Sequence, residues 1–192
     1  MKPQRHPRQR LVTILGRVFI AVSMAALGAP ASFAATASSD PAGACLSLAN
    51  LTNFPITPTQ IISAQFNPAG TVSANGVPLP DHCQIDGIIN KRTGIDGYPY
   101  GDGFEVRLPT PEDWNGRFMF QGGGGTEGSV PPATGTAGTL SPTLAHGWAV
   151  ASQDGGHENS ELPVPNQFFL EPQAVVDHAY RSIDVTTQTA KY

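Results

Sequence analysis

Several familiar signatures are missing from this sequence. It has no G-x-S-x-G, so the common serine nucleophile turn is absent. It has neither G-x-x-x-x-G-K-[ST] nor a G-x-G-x-x-G opening a helix, so it carries no phosphate loop and no dinucleotide fingerprint. Charge is scarce: Asp, Glu, Lys and Arg make up 14% of 192 residues, too few for an acidic disordered segment. There are only two cysteines, Cys45 and Cys83, which excludes a disulfide-dense scaffold and makes a poor zinc site without clustered partners. No Asp or Glu precedes Asp40. No second apolar stretch reaches the ~20 residues that a membrane helix needs.

The N-terminus, by contrast, is strongly patterned. Lys2, Arg5, Arg8, Arg10 and Arg17 precede an apolar run from Val18 to Ala29, and Ser32-Phe33-Ala34 then offers a small-x-small cleavage site. Basic, apolar and small-residue regions in this order predict a cleaved secretory signal over residues 1–34, with a second cleavage option after Ala37. An uncleaved anchor or a buried helix is the bland alternative. Removing the five basic residues of the signal leaves six basic against 15 acidic side chains, a net of −9 in place of −4. Such a surface repels phosphate backbones and predicts no nucleic-acid partner, and no membrane association once the signal is gone. The expected location is secreted or periplasmic.

Residues 35–44 are small and polar and are expected to form a flexible leader, with one domain from 45 to 192. High Gly (21) and Pro (18) counts predict a loop-rich fold. In an oxidising compartment Cys45 and Cys83 read first as a disulfide, contributing roughly 4 kcal/mol; two buried thiols are the alternative.

Along the chain, Cys45–Asn50 suits a short helical turn and Thr59–Phe66 a strand. Asn67-Pro68-Ala69-Gly70 and Asn75-Gly76 suit turns, and His82–Asn90 a strand. Phe104-Glu105-Val106-Arg107-Leu108 alternates apolar with charged, which predicts a half-buried antiparallel strand. Asn115-Gly116 predicts a hairpin, and Arg117–Gln121 and Trp148–Ser152 predict strands buried on both faces. From Pro172 onward the period is helical, with Val175, Ala179, Ile183, Thr186 and Ala190 on one face. Strand, glycine loop, strand and helix make an α/β pattern. The final helix leads to no further strand, which raises the expectation that the fold continues past Tyr192.

Two segments could carry chemistry. Gly122–Gly125 follow a strand and leave backbone N–H groups uncovered. Such groups can hold a developing oxyanion, where one donor is worth ~3 kcal/mol of transition-state stabilisation; a loop without a role is equally consistent with the composition. Asp154-Gly155-Gly156-His157 places an acid near an imidazole, but no nucleophile or second ligand stands at a useful spacing. Asp154 and His157 therefore read as loop-bracing residues. His82, His146 and His178 are weaker candidates. Ser129, Ser141, Ser152 and Ser160 lack a tight glycine frame. No metal site and no cofactor are indicated.

Trp114-Asn115-Gly116-Arg117-Phe118-Met119-Phe120-Gln121-Gly122-Gly123-Gly124-Gly125 resembles a signature of the tannase and feruloyl esterase family. Ala145-His146-Gly147-Trp148-Ala149-Val150-Ala151-Ser152-Gln153-Asp154-Gly155-Gly156-His157 resembles its next block. Pro80–Cys83 and the helix around Asp177–Ser182 and Asp184–Thr187 are similar too. The resemblance implies a secreted α/β-hydrolase that cleaves carboxylic esters of aromatic acids such as gallate or ferulate through a serine acyl-enzyme. It also implies a nucleophile in a Gly-Cys-Ser-x-Gly-Gly turn beyond Tyr192, a later acid and histidine, and an inserted lid, often with calcium. None of these elements has a counterpart in the 192 residues. The expectation is an incomplete α/β-hydrolase fold, comprising the N-terminal strands and first helix, without catalytic residues and inactive alone. Gly123 or Gly124 would donate to the oxyanion. The rival reading is a secreted non-catalytic module binding aromatic or polysaccharide ligands. Oligomeric state is not readable from the sequence.

Overall fold

The structure, a computed structural model, describes residues 40–56, 58–136 and 141–192. The expected signal, and the leader up to Ser39, lie outside the described residues. The rest of the expected leader is not a flexible strand of chain. Helix α1 spans Pro41–Ser47, with Pro41 in its first turn and the Asp40 Oδ1 atom accepting from Gly43 N at 2.9 Å. An Asp cap followed by a proline is a strong helix start, so helix replaces leader over residues 41–44. A 3₁₀ turn, Leu48–Asn50, follows.

Five strands form one mixed sheet: β1 (Thr59–Asn67), β4 (His82–Thr93), β5 (Pro99–Pro109), β7 (Ala149–Gln153) and β6 (Phe118–Phe120), in that spatial order. Two short strands, β2 (Ser73–Ala74) and β3 (Val77–Pro78), pair separately across Asn75-Gly76. Both turn residues take positive φ (50° and 76°), as a tight two-residue hairpin requires. β1, β4, β5 and β7 are antiparallel in succession, whereas β6 runs parallel to β7.

Three strand expectations change. Asn115-Gly116 turns the chain, with Gly116 at φ 81°, but joins no hairpin: β6 pairs with β7, not β5. The turn is held by Asn115 N donating to Gly147 O and Asn115 Nδ2 to His146 O. β6 lies at the sheet edge and is half-buried, not buried on both faces. On β5, Glu105 and Arg107 are buried along with Phe104 and Val106. The charged face is covered because Arg107 Nε lies 2.6 Å from Glu105 Oε1, which also accepts from Ala133 N of the long loop. Two opposite charges paired in this way can leave water together.

One core cluster joins Ile85, Ile89, Phe104, Val106, Ala151 and Val185 to Cys45 and Cys83. Cys45 and Cys83 are disulfide-bonded across 38 residues, which fastens α1 to β4.

The C-terminal helix carries a phase change. α2 (Pro172–Val176) runs into a π-turn (Asp177–Arg181) and then α3 (Ser182–Ala190). A π-turn inserts an extra residue and rotates everything beyond it. The buried positions are Ala174, Asp177, Ser182, Val185, Thr186 and Thr189. Of the expected stripe, Ala179 and Ile183 face outward, Ile183 with 47% of its surface exposed.

Candidate functional site

Parallel strands β6 and β7 both end in glycine-rich loops, side by side at one edge of the sheet. Loops at the carboxyl ends of parallel strands are where α/β sheets place ligands. Gln121 anchors the first loop. Its N–H donates to Ala151 O at 2.7 Å, its Nε2 to Pro132 O at 3.1 Å, and its Oε1 accepts from Gly135 N at 2.7 Å. Gly122–Gly125 that follow are exposed.

The two oxyanion candidates differ. Gly123 N donates to Glu127 Oε1 at 3.1 Å. Gly124 O accepts from Glu127 N at 3.1 Å, while the Gly124 N–H has no acceptor among the described residues. A Cβ at Gly124 would meet nothing within 4 Å.

The second loop is densely hydrogen-bonded. Gly155 and Gly156 have φ of 83° and 84°, a region that side chains rarely tolerate. Asp154 Oδ2 accepts from Gly103 N at 3.0 Å and Oδ1 from Gly156 N at 2.8 Å. Burial pushes the Asp154 carboxyl well above its usual range, against the lowering effect of those two bonds. His157 is fully buried. Its Nδ1 lies 3.3 Å from Gly155 O, and its ring stacks on Phe168 with centroids 3.9 Å apart. Burial lowers its pKa and favours the neutral ring. Gln153 links the loops: Nε2 donates to Glu127 Oε2 at 2.8 Å, and Oε1 accepts from Gly155 N.

Behind this loop sits an ion network that the sequence reading missed. Arg92 reaches Glu171 at 3.2 Å and Asp177 at 2.9 Å; Arg181 reaches Asp177 at 3.0 Å and Asp102 at 3.3 Å. Ser182 Oγ donates to Asp102. Burial is the main cause raising Asp102 to about 6; the Asp177 charge adds to it, while the Ser182 bond and the two arginines oppose it. The i,i+4 pair Asp177–Arg181 was the one visible signal, since such spacing places side chains together on a helix.

Among the described residues, the serines singled out in the sequence lack a base that a carboxylate orients. Ser152 Oγ donates to Pro131 O at 2.5 Å, and Ser129 and Ser160 are exposed. Ser141 Oγ and His146 Nε2 are 2.8 Å apart on the surface, but no carboxylate orients His146 among the described residues. His82 is buried, with Nδ1 2.7 Å from Pro80 O; His178 packs edge-on to Phe169. Among the described residues no group of three or more His, Cys, Asp or Glu could hold a metal, and no helix is long and apolar enough to cross a membrane.

Apolar hollows lie elsewhere among the described residues. One of about 480 Å³ is lined by Leu108, Pro109, Pro111, Trp114, Phe118 and Ala149 beside edge strand β6. Another, about 270 Å³, includes Leu48, Phe54, Ile61, Phe104 and Tyr192. Neither reaches the glycine loops.

Comparison with known proteins gives the family and the fold. The family model described as tannase and feruloyl esterase matches residues 98–192, which hold both glycine loops and all of the ion network except Arg92. A mono(2-hydroxyethyl) terephthalate hydrolase of Piscinibacter sakaiensis is 41% identical over 145 residues, covering 72% of this chain and 24% of that protein. An uncharacterized esterase of Agrobacterium fabrum is 28% identical, covering 94% of this chain and 32% of its own length. The chain thus spans about a quarter to a third of these relatives. The crystal structure of feruloyl esterase B from Aspergillus oryzae superposes with a TM-score of 0.58 at 23% identity, over 78% of this chain and 28% of that one. Another Aspergillus oryzae esterase gives 0.53 at 21%. The sheet and its loops therefore share the fold of these esterases.

Proposed function

This chain belongs to the tannase and feruloyl esterase family, and from that premise we propose that it forms the N-terminal part of an exported carboxylic-ester hydrolase acting on aromatic-acid esters. The observation that carries the reading is the pair of adjacent glycine loops after β6 and β7, one with an unengaged N–H at Gly124 and the other braced by Asp154. In the proposed mechanism a serine attacks the ester carbonyl. The loop N–H group holds the oxyanion, and collapse leaves an acyl-enzyme that water then hydrolyses. Serine, acid and histidine come from sequence beyond Tyr192. The family premise and the lack of an oriented serine among the described residues both support this. The half-buried edge strand β6 and the apolar hollow beside it support a further strand and helix packing there. An aromatic acyl group is supported by the 41%-identical relative, a mono(2-hydroxyethyl) terephthalate hydrolase.

The test is the intact mass and activity of the native exported protein, detected through the segment around Gly122. A species much heavier than 20.1 kDa that hydrolyses methyl ferulate, methyl gallate or mono(2-hydroxyethyl) terephthalate is the expected result. A product slightly lighter than 20.1 kDa that binds aromatic ligands without turnover would replace this reading with the non-catalytic module.

A further inference from the structure

Glu127 sits where a glycine would be cheaper. It follows Gly122–Gly125 and Thr126 and precedes Gly128, yet it takes φ 54°, a region in which a non-glycine residue is strained by roughly 1 kcal/mol. Each of its polar groups is nevertheless engaged. Its N–H donates to Gly124 O, its carbonyl accepts from Asn159 Nδ2 at 3.0 Å, Oε1 accepts from Gly123 N and Oε2 from Gln153 Nε2. Gln153 in turn accepts from Gly155 N. One continuous chain of hydrogen bonds therefore runs from Gly123 through two side chains to Gly155 and ties the loop after β6 to the loop after β7.

We propose that Glu127 and Gln153 are positioning residues that hold the Gly123 N–H on the Glu127 carboxylate and present Gly124 N–H as the donor to the substrate oxyanion. One N–H cannot serve a carboxylate and an oxyanion at full strength, and the Gly123 N–H is already committed. The Gly124 N–H has no acceptor among the described residues, and Gly124 is exposed. The assignment of the oxyanion rests on the ester-hydrolase reading; the clip itself does not.

The chemistry of the clip supplies its own test. Gly123 N–H and Gly155 N–H are donors at the two ends, so each of the two side chains must accept once. The link between them then needs one donor and one acceptor. Glu127 with Gln153 meets that condition, and so does the exchanged pair E127Q/Q153E. E127Q alone sets amide NH₂ against amide NH₂, and Q153E alone sets carboxylate against carboxylate; no flip of either group repairs this.

The experiment uses the complete natural gene product. Amide hydrogen exchange is read on peptides spanning 119–128 and 152–158, together with steady-state hydrolysis of methyl ferulate. Each single variant is expected to raise exchange in both peptides about tenfold and to lower kcat about tenfold with KM changed less than twofold, because the lost contact acts on the transition state. The double variant is expected to recover both. Unchanged exchange in E127Q, or a double variant no better than the singles, overturns the clip. A kcat that rises in E127Q overturns the Gly124 assignment, since Glu127 would then be obstructing Gly123. If the wild-type protein hydrolyses no aromatic ester, the ester-hydrolase reading fails, and the exchange pattern alone decides the clip.

Discussion

Replacing Asp177 by Asn asks whether the network behind the second glycine loop is held by charge. Asp177 is fully buried and has three partners: Arg92 at 2.9 Å, Arg181 at 3.0 Å and Gln173 Nε2 at 2.9 Å. The Asn variant keeps the shape and one acceptor but leaves both guanidinium groups without their shared counter-charge. Breaking a buried pair from one side costs about 3–5 kcal/mol. Arg92 and Arg181 keep some water, with 18% and 27% of their side chains exposed, so the lower end, about 3 kcal/mol, is expected near neutral pH. The penalty should also depend on pH. Asp102 has a folded pKa raised to about 6, mainly by burial and in part by the Asp177 charge. A carboxylate raised in this way contributes stability that is fully present below its unfolded pKa and is lost as pH rises through 6. Without Asp177 its folded pKa drops toward the unfolded value and the slope flattens, so the penalty is larger at pH 5 than at pH 8. His82 and His157, held neutral by burial, give an opposite slope that is common to both proteins and cancels in the difference. Urea unfolding read through hydrogen exchange of the β4–β5 amides reports on this unit whatever else is joined to it. A penalty under 1 kcal/mol, or one equal at both pH values, would refute the argument.

Three further outcomes are expected. Cys45→Ala with Cys83→Ala releases a loop closed across 38 residues and should lower stability by about 4 kcal/mol on the chain-entropy account; an unchanged urea midpoint would contradict it. Gly156→Ala combines a φ of 84° with a Cβ only 2.5 Å from that of Asp177, so a loss of roughly 3 kcal/mol should appear as a lower Tm. Residues 40–192 expressed alone should aggregate and show no esterase activity, because β6 leaves a sheet edge open and Phe169, Leu170, Tyr180 and Ile183 stay exposed; soluble monomer with a cooperative melt would count against this.

Local chemistry was the legible part of the fold. Asn75-Gly76 needed positive φ and turned where expected; Pro172 opened a helix because its missing N–H costs nothing there. The strand β7 read correctly because an uninterrupted apolar run suits burial on both faces. Misreadings came where a distant partner changed the meaning of a residue. Glu105 and Arg107 alternate with apolar neighbours as solvent-facing charges would, yet they bury each other beneath a loop more than 20 residues away in sequence. Asn115-Gly116 has hairpin chemistry, but the strand after it found β7 first. In the C-terminal helix the apolar residues at helical spacing suggested one face, and the π-turn at Asp177–Arg181 presented another. A buried Asp held by two arginines outweighs the exposure of an isoleucine.

The candidate site divides in the same way. From the sequence alone came the two glycine loops, their order after two strands and the family resemblance, since each depends on residues that are neighbours in the chain. Only the tertiary structure placed those loops side by side, engaged the Gly123 N–H while leaving the Gly124 N–H without an acceptor among the described residues, and joined them through Glu127 and Gln153. That choice depends on which side chain reaches which N–H across 26 residues. Such a contact is set by the parallel pairing of β6 and β7, and no local pattern in the sequence encodes it.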